Sequence, residues 1–341
     1  MWLFGPLLIQ LFCKYVVTQS AADALKIAVE GSSVNEFRGF YKREHSVVRP
    51  YMAGVEIPWN LVGHTVISTH EIRLTADAKS QQGGIWNSHA LWARDWELQV
   101  SFKVTGQSGQ LFGDGMAIWY AQEPGLLGPV FGSKDYFRGL AVFLDTYSNH
   151  NGPHQHGHPW VSAMVSDGTL HYDHDRDGTH TQLGGEEAGC EAKFRNQDFE
   201  TQVLIRYVAD TLSIFVDTDG EGTWRSCLSV DNVKLPTGYY LGVSAATGEL
   251  YDIHDLISFK TFQIDVDRVE SRDDLQPEKI VPHADSVSAP RDHVVDPKPS
   301  RLGWFGTALL LIVAIAVVIG IVLFGVMSIK NKNQTQHKRF Y

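Results

Sequence analysis

Trp96-Glu-Leu-Gln-Val-Ser-Phe-Lys-Val104 decides how the chain is read. Its apolar residues Trp96, Leu98, Val100, Phe102 and Val104 alternate with Glu97, Gln99, Ser101 and Lys103, and side chains of an extended strand alternate between faces. This is a half-buried β-strand. Similar runs fall at Glu71–Thr75, Met116–Tyr120, Trp160–Val165, Gln202–Val208, Thr211–Asp217, Tyr239–Ser244 and Ile257–Val266, separated by turns bearing Gly, Asp or Pro. No stretch between them keeps a helical period. About a dozen short strands without an internal repeat predict an all-β domain over residues 36–266, an antiparallel β-sandwich or jelly roll.

Outward from that domain the chain changes character twice. Residues 267–302 carry Pro277, Pro282, Pro290, Pro297 and Pro299 among charged and small residues, the composition of an extended stalk. Gly303–Ile329 contains no charged residue and is long enough to cross a bilayer as a helix, with Trp304 and Phe305 at its entrance. Lys330, Lys332, Lys338 and Arg339 follow, so the positive-inside rule puts the 330–341 tail in the cytosol and the sandwich in the lumen. At the other end, residues 1–22 form an apolar segment closing in Ser20-Ala21-Ala22, the pattern of a signal peptide, although a basic start is missing. The expected topology is type I. Asn333-Gln-Thr335 is then a sequon on the cytosolic side, where it stays unmodified.

A net charge of −10 and the lack of a basic stripe exclude nucleic acid as a partner. With Cys13 in the leader, Cys190 and Cys227 remain, 37 residues apart. They are either one disulfide or two buried thiols, and an oxidising lumen favours the bridge.

Four groups of residues carry candidate chemistry. Leu140–Leu144 is a continuous apolar run that ends in Asp145, Tyr147 and Asn149, two residues apart. The two side-chain oxygens and the Tyr147 carbonyl suit a hard cation such as Ca2+, which takes about six to eight oxygens, and Asp177 is a fourth candidate. The same pattern also describes a hydrogen-bonded turn. Phe112-Gly-Asp-Gly115 puts Asp114 between glycines at the mouth of an apolar strand, or is a hairpin turn. Gly242–Leu250 runs from a strand into small residues whose amides can meet ligand hydroxyls, or is likewise only a turn. Seven of the fifteen histidines, His150, His154, His156, His158, His171, His174 and His180, lie close together. His154-x-His156-x-His158 offers zinc-type ligands, and a solvated loop is the simpler reading.

Several motifs together resemble the leguminous-type (L-type) animal lectins of the secretory pathway, in particular their vesicular integral-membrane subgroup. They are Gly84-Ile-Trp-Asn87, Arg94-Asp-Trp-Glu97, Gly113-Asp-Gly115, Gly128–Asp135, Gly139–Tyr147, Tyr172-Asp-His174, Phe194-Arg-Asn196, Leu235–Tyr240 and the terminal Lys-Arg-Phe-Tyr. The resemblance implies a concanavalin-like sandwich, bound calcium, and high-mannose N-glycans of newly made glycoproteins as ligands. It implies Asp145, Tyr147 (through its carbonyl), Asn149 and Asp177 as calcium ligands. Asp114 and Asn149 then bind mannose, Ser80 and His174 reach outer residues of the glycan arm, and the backbone of Gly248, Glu249 and Leu250 closes the site. Cys190 and Cys227 match the family disulfide. The tail Lys338-Arg339-Phe340-Tyr341 resembles an address read by coat proteins, which places the chain in ER, intermediate compartment and Golgi membranes as a cargo receptor or quality-control lectin. The short stalk favours the vesicular branch. Two departures stand out, Glu249 where the family usually has Asp, and a histidine-rich Asn149–His158.

Two other classes compete. A sandwich glycosidase needs paired carboxylates about 5–9.5 Å apart, and the Glu-x-Asp-x-x-Glu strand pattern such enzymes use does not occur. A sugar-independent adhesive or chaperone-like module would need neither Asp114 nor calcium.

Overall fold

The computed structural model describes residues 39–51, 57–106, 112–149, 156–185, 188–266, 268, 273–285 and 301–337. The signal-peptide segment, His150, His154 and Lys338–Tyr341 lie outside them. The chain divides into two units, Met1–Pro290 and Arg291–Tyr341.

The first unit is a two-layer antiparallel sandwich. One sheet contains β1 (Phe40–Tyr41), β3 (Val66–Ile67), β4 (Ile72–Thr75), β6 (Trp96–Thr105), β11 (Thr201–Val208), β12 (Thr211–Asp217), β13 (Arg225–Val230) and β16 (Ile253–Gln263). The other contains β2 (Trp59–Gly63), β5 (Gln82–Asn87), β7 (Gly115–Ala121), β8 (Arg138–Asp145), β9 (Trp160–Asp167), β10 (Cys190–Glu191) and β15 (Tyr240–Ala246). A small ribbon pairs β14 (Val233–Lys234) with β17 (His283–Ala284).

The alternation in β6 does what its pattern predicts. Trp96, Leu98, Val100, Phe102 and Val104 all enter the core between the sheets, where Trp96 lies 5.4 Å from Tyr120 and 5.5 Å from Tyr207. On its other face Glu97 is buried but paired, accepting from Arg206 Nε at 2.8 Å.

β7 and β8 have no such alternation because both of their faces are covered. Ile118, Leu140, Val142 and Leu144 face the main core, while Trp119, Ala141 and Phe143 face a second one roofed by Val130, Phe131, Phe137 and Tyr172. A strand buried on both sides reads as a continuous apolar run. Trp86 lies across that sheet only because position 242 is glycine: a Cβ there would sit 2.4 Å from the Trp86 ring.

Cys190 and Cys227 form the disulfide. It joins β10 of one sheet to β13 of the other.

Past Val266 the described residues 268 and 273–285 depart from the extended stalk expected over 267–302. Arg268 pairs with Asp95 and Asp210, the Thr237 amide donates to the Pro277 carbonyl at 3.2 Å, and Ala284 is buried in the main core. Charge pairing at long sequence separation pins this segment, which composition alone does not reveal.

The second unit contains α1 (Arg301–His337), longer than the expected span of 303–329. Its stretch Leu311–Ser328 has a mean hydropathy of 3.0, apolar and long enough to cross a membrane.

Candidate functional site

Strand register assembles the site. Gly115 pairs with Asp145, Ala246 with Gly115, Gln82 with Ala246, and Trp160 with Asp145. Every segment that leaves the sheet at these residues leaves it at one end. Asp114, the 145–149 turn, Ser80, Thr247–Leu250 and His158 therefore meet there, although they span more than half the domain in sequence.

Hydrogen bonds lock the segments together. The Asp114 amide donates to Ala246 O at 3.2 Å, and the Asp114 carbonyl accepts from the Thr146 amide at 3.1 Å and the Thr146 hydroxyl at 2.9 Å. The Ser80 amide donates to Gly248 O at 3.0 Å, and the Gly248 amide to Leu250 O at 3.0 Å. A Cβ at position 248 would stand 3.2 Å from both Asp114 carboxylate oxygens. Glycine there leaves the carboxylate open to a ligand beside bare backbone. Burial raises the Asp114 carboxyl to about 6.

Beside it, Asp145 and Asp177 are buried, and with His158 they place one ligand atom each within 4.8 Å of one another. His158 Nε2 lies 3.9 Å from Asp145 Oδ2 and 3.8 Å from Asp177 Oδ2. Asp177 sits in the left-handed region at φ 51°, and its Oδ1 accepts from the Asn149 amide at 2.9 Å. The Tyr147 amide donates to Asp145 Oδ1 at 3.0 Å. Burial, then the neighbouring Asp177, push the Asp145 carboxyl well above its ordinary value, and the short Tyr147 bond only partly opposes them. Two buried carboxylates facing one another are unfavourable unless a cation lies between them. The set fits a divalent ion, with the Asn149 side chain and Tyr147 carbonyl carried on the same turn.

The structure brings Ser80, Asp114, Asp145, Tyr147, Asn149, Asp177, Gly248 and Leu250 to one sheet end. His174 is close by: its Nε2 lies 3.0 Å from Pro129 O, its ring packs on Phe131 and Tyr172, and burial lowers its pKa. The Glu249 carboxylate points outward, 86% exposed, and pairs with Lys79 at 2.8 Å. Of the three zinc-type histidines, His154 lies outside the described residues, His156 stacks on Trp160 with ring centroids 4.0 Å apart, and His158 joins the two carboxylates. Sequence reasoning did not place His158 with Asp145. Its position two residues before β9, whose first residue pairs with Asp145, was the available signal.

The Legume-like lectin profile matches residues 38–271, and the chain belongs to that family of carbohydrate-binding proteins rather than to the enzymes. Within it the chain falls in the vesicular integral-membrane subgroup. It is 44% identical over 309 residues to the human VIP36-like protein, covering 89% of this chain and 86% of that one. It is 41% identical to mouse vesicular integral-membrane protein VIP36, covering 88% and 84%. The crystal structure of the VIP36 lumenal domain in its Ca2+/Man2-bound form superposes with a TM-score of 0.68 at 42% identity, covering 72% of this chain and 97% of that one. A metal-free form of the same domain superposes with a TM-score of 0.66, at 42% identity and covering 72% and 99%.

Proposed function

We propose that the protein is a calcium-dependent lectin for high-mannose N-glycans of newly made glycoproteins, acting as a type I cargo receptor or quality-control lectin between ER and Golgi. The observation that carries this reading is the convergence at one sheet end of a buried carboxylate pair, Asp145 and Asp177, with the Asp114 carboxylate and the side-chain-free Gly248.

Asp145, Asp177, the Tyr147 carbonyl and the Asn149 side chain hold the ion, with His158 alongside. The ion fixes the 145–149 turn and lowers the cost of keeping its acids ionised. Asp114 accepts hydrogen bonds from vicinal sugar hydroxyls, and the Asn149 side-chain Nδ2 donates to one of them. Gly248 admits the ring edge, while the amides of Glu249 and Leu250 close over it. Ser80 and His174 flank the next residues of the arm. Each buried polar group left unmatched costs about 1–3 kcal/mol, so an epimer with a misplaced hydroxyl is rejected. VIP36 domain structures with Man2 and with Man3GlcNAc support this ligand class.

Residues 1–22 are a signal peptide in this reading, α1 spans the membrane, and Lys338-Arg339-Phe340-Tyr341 faces coat proteins in the cytosol. Binding of the full chain to a glycan array with and without chelator tests the central claim. Mannose-rich glycans are retained with calcium and lost without it. Calcium-independent binding, or no preference for mannose, overturns the reading.

A further inference from the structure

Phe194-Arg-Asn196 is a motif that neither the ion site nor the sugar pocket uses directly. Its frame is rigid: Phe194 packs edge-on against Phe102 at 5.4 Å, the Asn196 amide donates to Val104 O at 2.9 Å, and Asn196 Oδ1 accepts from the Gly106 amide at 2.9 Å. The middle residue, Arg195, points from this frame towards the pocket loops. Its Nε and Nη2 both donate to Asp252, each at 2.8 Å, and the Asp252 side chain is fully buried. The Arg195 Cζ also lies 4.1 Å from the Phe112 ring centroid.

These two partners are informative because of what adjoins them. Asp252 stands two residues after Leu250, and Phe112 two residues before Asp114. The loops also touch each other: a Cβ at Gly113 would lie 3.6 Å from the Leu250 Cβ. Below, a Cβ at Gly106 would lie 1.9 Å from Asp252 Oδ1 and 2.9 Å from Arg195 Nη2, so the pair has little room to shift. A planar guanidinium binds a carboxylate along its edge and an aromatic ring on its face at the same time, which an ammonium does not.

We propose that Arg195 is a positioning residue of the saccharide pocket, its edge holding Asp252 and its face holding Phe112, so that the Asp114 carboxylate and the Gly248–Leu250 backbone keep the spacing a sugar ring needs. The affinity consequence rests on the lectin reading above; the loop geometry does not.

The test uses the full chain in detergent with calcium, comparing Arg195→Lys and Phe112→Leu with Arg206→Lys, which alters the buried ion pair of the other sheet. Amide exchange at Ser80, Asp114 and Gly248, whose bonds close the pocket, is expected to speed up about tenfold or more in both pocket variants, with Leu144 and Val161 unchanged. Affinity for a mannose-rich glycan is expected to fall about tenfold, because small misplacements of polar groups are costly. Calcium affinity without sugar stays within about twofold, since the contacts the proposal rests on, to Asp252 and Phe112, lie outside the expected ion ligands. Phe112→Tyr, which keeps the ring, should retain pocket protection and affinity. If Arg206→Lys loosens the same amides equally, or if calcium affinity falls in parallel with glycan affinity, Arg195 is only structural and the proposal fails. If the wild type binds no mannose-rich glycan, the lectin reading fails, and the exchange measurements still decide the role of Arg195. Phe112→Leu removes only the stacked face, so it decides the matter even if Arg195→Lys does not fold.

Discussion

Two clusters of half-buried and buried acids sit near the two ends of β15, and they are neutralised in opposite ways. Near Tyr240, Asp95, Asp210 and Asp274 are met by Arg94, Lys234 and Arg268 of the same chain. Near Ala246, Asp145 and Asp177 are met by His158, charged only when protonated. The first cluster is complete without any ligand and fastens the 268–285 segment to the sandwich. The second brings two buried carboxylates and one imidazole within 4.8 Å of one another, a set that fits a cation. Burial raises Asp210, yet Lys234, Arg94 and Arg268 outweigh it and hold the carboxyl below its usual value. Burial raises Asp145 and Asp114, and nothing offsets it enough. Matched charges fasten the chain to itself, whereas two facing buried carboxylates suit a cation.

The comparison breaks most visibly at Asp145. Asp145→Asn should cut calcium affinity about a hundredfold or more, because one ligand charge is lost from a site that has few. The same substitution should leave the calcium-free domain as stable as the parent or more so at neutral pH. The signs follow from linkage. Asp145 and Asp114 have raised carboxyl pKa values when folded, so their contribution is full below the unfolded value near 4 and is lost as pH rises, through about 6 for Asp114. In chelator, denaturation midpoints should show the advantage of Asp145→Asn growing from pH 5 to pH 7. A calcium-free domain that loses stability on this substitution would remove the idea of stored repulsion.

Asp210→Ala should do the reverse. It takes one carboxylate partner from Arg94, Lys234 and Arg268 in a half-buried site where Arg94 and Arg268 keep Asp274 and Asp95, so the loss is about 2 kcal/mol, below the figure for a fully buried pair. Calcium affinity should not change. Because the folded Asp210 carboxyl is depressed, its contribution is present above pH 4 and fades as pH falls further. Thermal melts from pH 3 to 7, with calcium saturating, separate this from the first effect. His254 adds its own acid sensitivity in parent and variant alike: burial, then the Arg195 charge, lower its pKa to about 3, so stability is lost as pH falls from about 6.5.

His158→Gln sharpens the comparison rather than breaking it. An imidazole beside two acids is a weaker attachment than a carboxylate, so about a tenfold loss of calcium affinity is expected, with the fold intact. Isothermal titration at fixed pH measures it. An unchanged affinity would make His158 a packing residue and leave the ion to oxygen ligands alone.

Legibility in the sequence followed how much of each feature is local. The alternation of β6 was readable because one of its faces carries Glu97, Gln99, Ser101 and Lys103, and β7 and β8 were readable as strands but not as to which face was inward, because both are covered. β1, β2, β3, β5, β10, β13, β14 and β17 were not identified: Trp59-Asn-Leu-Val-Gly63 owes its strand to pairing with Gln82–Asn87, a contact absent from its own pattern. The segment after Val266 looked like stalk because its prolines are local and the partners of Arg268 are not. At the site, residue type pointed to Asp145 and Asp177, whereas His158 needed the β8–β9 register.

Glu249 is where the smallest effect is expected. The family resemblance expects Asp at this position, and Glu249→Asp supplies that shorter side chain. The Glu249 carboxylate is solvent-exposed and tied to Lys79 across the rim, and exposed ion pairs contribute little. In the proposed pocket the closing element is the backbone of Gly248 and Leu250, joined by the Gly248 amide to Leu250 carbonyl bond. Glu249→Asp should therefore change mannose affinity by about twofold or less and leave the melting temperature unmoved. Lys79→Ala should match it. A gain of about tenfold in glycan affinity for Glu249→Asp alone would mean that the shorter carboxylate turns inward, and that this chain carries a weaker pocket than its relatives because one methylene redirects a charge from sugar to Lys79.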